Sequence, residues 1–77
     1  MDNSTASQRS RILAYLRIRP LDTITARREL NIMHPSARIG ELIRAGYTIE
    51  TVMIDRASDC GNIHRVGMYI LREGGAA

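Results

Sequence analysis

The sequence predicts an α+β fold in which three short helices precede a β-hairpin. Three observations carry that reading. Apolar residues recur at helical spacing as far as about residue 45, the period changes to two from Tyr47 onward, and the change falls on one glycine, Gly46. A chain of 77 residues is expected to form one domain, with a core of about residues 7–72. It lies near the size at which a single core is only just sufficient.

The first helix is expected within "QRSRILAYLRIR". Ile12, Leu13 and Leu16 share one face there, Tyr15 lies at its margin, and Ser10, Ala14 and Arg17 lie opposite. Ser4, Thr5 or Ser7 caps its start, after a polar leader, and Pro20 ends it because proline disfavours helical geometry in Arg19. A second helix begins within residues 23–26, where Asp22, Thr23 and Thr25 are all capping types, and closes near Leu30. Ala26, Leu30 and Met33 are its expected inward side, and Arg27 and Arg28 face water. Asn31 suits a left-handed position just past its end.

A third helix, residues 34–45, follows after a tight turn. His34 stands at the cap, Pro35 at the first helical position and Gly46 just past the end. Ile39, Leu42 and Ile43 form its expected buried stripe. Winding leaves Ala37, Glu41 and Arg44 pointing away, with Arg38 and Gly40 on the flanks. Two short helices separated by a tight turn make a helix-turn-helix unit. The strands "YTIETVMI" and "RVGMYILR" then form a hairpin over residues 47–71, joined by the long polar loop "DRASDCGNIH". The tail "EGGAA" reads as flexible.

Composition narrows the function. All eleven positive residues are arginines, against eight acids, for a formal net charge of +3. Arginine forks onto phosphate or a guanine edge, so this balance suits a nucleic-acid partner, although codon bias in a GC-rich genome also produces it. One cysteine, Cys60, allows no intrachain disulfide, and with the distant His34 and His64 it makes a poor metal set. No cofactor is expected. The cytoplasm is the expected location, since the N-terminus does not read as a signal peptide and no apolar run is long enough for a membrane span. There is no paired carboxylate, nucleophile-base set or Gly-rich phosphate loop, which argues against an enzyme.

The stretch "NIMHPSARIGELIRAGYTIET", residues 31–51, resembles a family of small bacterial and phage winged helix-turn-helix domains. The resemblance rests on Ile32, on Ala37, Arg38, Ile39, Glu41 and Leu42 as A-R-I-x-E-L, and on Gly46, Tyr47 and Ile49 as G-Y-x-I. Tyr69 and Leu71 match the ending of its hairpin. Asn31 departs from the pattern, standing where the family often has glycine. So does the loop at residues 55–65, which carries Asp55 and Asp59.

What the resemblance implies is a binder of double-stranded DNA, as a small transcriptional regulator or a phage or prophage accessory factor. The third helix would read the major groove through Ser36, Ala37, Arg38, Gly40, Glu41 and Arg44. Arg27 and Arg28 would contact phosphates, and Arg56, His64 and Arg65 would act from the wing. Arg38 has a competing structural reading, as the partner of Glu41 three residues on. One module contacts few bases, so useful affinity implies a homodimer or a cooperative array on repeated sites. The alternative is a protein-interaction module, for example a phage-encoded inhibitor of a host protein, using the same fold without DNA. Glu41, the acidic loop and the apolar residues Val52, Ile54 and Ile63 favour it.

Overall fold

The computed structural model describes residues 3–57 and 60–72. Along the chain run α1 (Thr5–Leu16), β1 (Leu21–Asp22), α2 (Thr23–Glu29), α3 (Pro35–Arg44), β2 (Ile49–Ala57) and β3 (Ile63–Leu71). The strands form one antiparallel sheet in the order β1-β3-β2. The expected α+β class, three helices and then a hairpin, is what forms. Asp59 and the tail at residues 73–77 lie outside the described residues.

Local chemistry sets most boundaries. Ser4 starts α1 by accepting the Ser7 N–H at 3.1 Å, and the helix closes at Leu16, before Pro20 is reached. Asp22 caps α2 through the N–H groups of Ile24 and Thr25, at 3.2 and 3.4 Å. Asn31, at φ 56°, turns the chain past α2. His34 occupies the cap position of α3 without a side-chain bond, and Pro35 opens the helix. At its other end Gly46, at φ 112°, lets its own N–H reach Ile43 O and the Tyr47 N–H reach Leu42 O. This double closure satisfies carbonyls that the helix end leaves open, and the left-handed turn is the reason a glycine stands there.

The core is one cluster: Ile12 and Leu16 of α1, Leu21 of β1, Ala26 of α2, Ile32 of the turn between α2 and α3, Ile39 and Leu42 of α3, Ile49 of β2 and Tyr69 of β3. Burying a side chain such as Ile12 contributes about 1.5–3 kcal/mol. Two residues expected inside are not there. Met33 is 68% exposed and Ile43 46% exposed. The inward side of α3 is the narrower stripe Pro35, Ile39 and Leu42, and Ile32, completely buried, fills the turn that Met33 was expected to cover.

The hairpin also differs from expectation. Its strands extend nine residues each, so Asp55, Arg56, His64 and Arg65 are strand residues rather than members of a long loop. Arg56 stands opposite His64, and Asp55 opposite Arg65. The two-residue β1, with Leu21 against Tyr69 and Asp22 against Met68, is too short to leave a period in the sequence.

Arginines hold these layers together. Arg9 of α1 and Arg38 of α3 both bind Glu41, at 2.8 and 2.9 Å, and Arg11 donates to Leu30 O at the end of α2 at 3.0 Å. Arg56 Nη1 reaches from the hairpin to Asp22 at 2.5 Å and to Thr25 Oγ1 at 2.9 Å. Arginine richness is therefore partly a structural property of this chain.

Candidate nucleic-acid interface

The cap on α2 positions the first part of the site. With Asp22 fixing the helix start and Ala26 turned into the core, Arg27 and Arg28 fall on the exposed side. This helix runs on from β1 and packs against β3, so that its exposed side faces the hairpin. Between them lies a cleft of about 430 Å³ lined by Ile24, Arg27, Arg28, Arg56, Ala57, His64, Arg65 and Val66. Four arginines and an imidazole thus converge from three elements, with no carboxylate in the lining. The supposed phosphate contacts Arg27 and Arg28 and the supposed wing residues Arg56, His64 and Arg65 are one group of neighbours.

Asp22 lies under this cleft and is buried. Burial by itself would raise its pKa. Hydrogen bonds from Thr25 and Arg56, together with the Arg56 charge, outweigh that and hold the carboxyl below its usual range. Arg56 is thereby drawn inward, with Nη1 committed to the fold. Asp22 is legible in the sequence as a cap, but its ion pair joins positions 34 residues apart and leaves no local signal.

The candidates on α3 divide into two groups. Ser36, Ala37 and Arg44 are exposed. Glu41, expected to point away, is instead half-buried and turned toward α1. The Arg9 hydrogen bond, opposed by burial and aided by the charges of Arg38 and Arg9, holds its carboxyl below the usual range. Arg38 takes up the structural pairing, and its Nε is buried without a hydrogen-bond partner among the described residues. Glu41 thus ties α3 to α1 through Arg9, and Arg38 is tied to Glu41 within α3.

Gly40 is flanked by its neighbour one turn on. A Cβ built there would lie 3.6 Å from Arg44 Nη1, which is ordinary contact. Packing therefore does not require the glycine. Gly40→Ala is expected to stabilise the fold by about 0.5–1 kcal/mol, measured by chemical denaturation.

Residues 7–74 match the winged helix-turn-helix domain family. The chain belongs to that family. Searches of curated proteins and of solved structures return no match. In winged helix-turn-helix terms α2 and α3 are the helix-turn-helix pair, and β2 with β3 form the wing. Such domains are, as a class, DNA-binding modules. Among the described residues no helix is long and apolar enough to cross a membrane, and no group of three or more His, Cys, Asp or Glu is placed to hold a metal ion.

Proposed function

We propose that this winged helix-turn-helix protein binds double-stranded DNA as a small regulator or phage accessory factor in the cytoplasm, without catalysis. The observation that carries the reading is the cleft between α2 and the wing. There Arg27, Arg28, Arg56 and Arg65 converge with no acid among the lining residues. A cleft of this charge suits backbone phosphates, which fix register without reading sequence. Ser36, Ala37, Gly40 and Arg44 form the part of α3 left for the major groove. Arg38 and Glu41 support that helix from behind.

The test is fluorescence anisotropy with random-sequence duplex DNA at two salt concentrations. Binding should weaken steeply as salt rises, with a logarithmic slope of about −0.9 for each phosphate neutralised. No binding at low salt and high protein concentration would sink the proposal. A second reading, a module that binds another protein, is favoured by the apolar residues exposed along the wing, Val52, Met53 and Ile63. It would predict a partner interaction that is insensitive to the cleft arginines.

A further inference from the structure

The sheet has one long open side. In the order β1-β3-β2 the outer edge of β2 has no strand beside it among the described residues. Natural edges of this kind are usually shortened, bulged, or guarded by lysine or proline. Here β2 runs nine residues in unbroken register with β3, contains neither proline nor lysine, and has Glu50, Asp55 and Arg56 as its charged residues, leaving the central Thr51–Ile54 stretch without one. Val52 and Met53 are about half exposed.

We propose that β2 pairs antiparallel with β2 of a second copy, about a two-fold axis through Met53. The hydrogen-bond pattern limits the choices. Arg72 N–H donates to Thr48 O at 2.8 Å, and this pair directly precedes the Ile49–Leu71 pair. Bonded and non-bonded pairs alternate along an antiparallel ladder. Glu50, Val52, Ile54 and Arg56 therefore bond to β3, whereas Thr51, Met53 and Asp55 direct their N–H and C=O groups outward. A symmetric partner must join outward groups to outward groups, which requires the axis to pass through a residue.

Side-chain pairing then selects the residue. With the axis at Met53, Glu50 faces Arg56 of the second copy, Val52 faces Ile54, and Thr51 faces Asp55. Moving it to Val52 sets Glu50 against Ile54, and moving it to Ile54 sets Val52 against Arg56 and Met53 against Asp55. Only the Met53 register places opposite charges and apolar groups with their own kind. Glu50–Arg56 and Val52–Ile54 also fall at the close, non-bonded positions, where Cα atoms are about 4.5 Å apart. Within its own copy Glu50 already accepts from Arg72 on both oxygens, at 2.8 and 3.4 Å, and Arg56 donates to Asp22 and Thr25, so the apolar Val52–Ile54 and Met53–Met53 pairs decide the register. Register further places Val52, Ile54, Val66, Met68 and Ile70 on one face of the sheet. That apolar face would continue from one copy into the next.

The pairing does not depend on DNA binding and is tested without DNA. Sedimentation of the full chain over a concentration series should show mass rising from 8.6 kDa toward twice that value. In a Cys60→Ser background, Met53→Cys should form a disulfide-linked dimer on mild oxidation. Thr51→Cys should not, because two copies of position 51 would be offset by about 13 Å along the strands. Met53→Lys, at an already half-exposed position, should remain folded by circular dichroism and stay monomeric. A monomer at the highest concentration reached, or equal cross-linking at positions 51 and 53, would overturn the proposal.

Discussion

Asp22→Ala should lower the unfolding free energy by about 2–3 kcal/mol, the largest single-residue effect expected outside the apolar core. The side chain does three things at once. It accepts the Ile24 and Thr25 N–H groups that open α2, it accepts the Thr25 hydroxyl, and it holds Arg56 at 2.5 Å. Loss of the cap accounts for about 1 kcal/mol and loss of the charged hydrogen bonds for the rest. Arg56 is partly exposed and can return to water, which keeps the cost below that of a wholly buried pair. In a domain this small the loss should lower the melting temperature by on the order of 10 °C.

The same residue has a pH signature. Its folded pKa is depressed, so its contribution is fully present above the unfolded value near 4 and is lost as pH falls through the lower folded value. Wild-type protein should therefore lose stability on acidification below about pH 5 more steeply than Asp22→Ala. Glu41, also depressed, contributes in the same window in both proteins. Denaturant titrations at a series of pH values measure both quantities. A change under 0.5 kcal/mol, roughly that of an ordinary surface substitution, would show that Asp22 does not hold the α2–wing joint.

The second large effect concerns the cleft. Replacing Arg27, Arg28 and Arg65 together by alanine should weaken binding to every duplex alike, by on the order of a hundredfold at about 1 kcal/mol per phosphate contact. The salt slope should fall by roughly 2–3. Arg56 is left in place because it also supports the fold, and since Arg27 Nε donates to Met33 O at 3.3 Å the variant's unfolding free energy is measured alongside its affinity. A change at Ser36 should instead alter preference among sequences and leave the slope in place. If the triple variant binds with unchanged affinity and slope, the cleft is not where DNA lies, and the protein-binding reading gains.

The residues behind the family resemblance explain why the fold was easier to read than the site. Ile32, Ile39, Leu42, Ile49 and Tyr69 are core residues, Gly46 is a left-handed helix end, and Arg38 with Glu41 is an ion pair. The motif therefore reports how the chain packs. Its arginine and glutamate look like groove contacts only while α1 is out of view, because Arg9, the second partner of Glu41, is 32 residues away.

By itself the sequence determined the order of the three helices and two hairpin strands, the capping region at Asp22–Thr25, the helix start at Pro35, the turns at Asn31 and Gly46, and the switch from helix to strand. Each depends on local backbone preference or on a period spanning a few residues. Tertiary structure alone decided the rest: the two-residue β1, the burial of Ile32 in place of Met33, the inward turn of Glu41, and the gathering of Arg27, Arg28, Arg56 and Arg65 around one cleft. Those outcomes depend on contacts between residues some 30 or more apart. No local preference encodes such contacts, and the packing of helix against hairpin settles them.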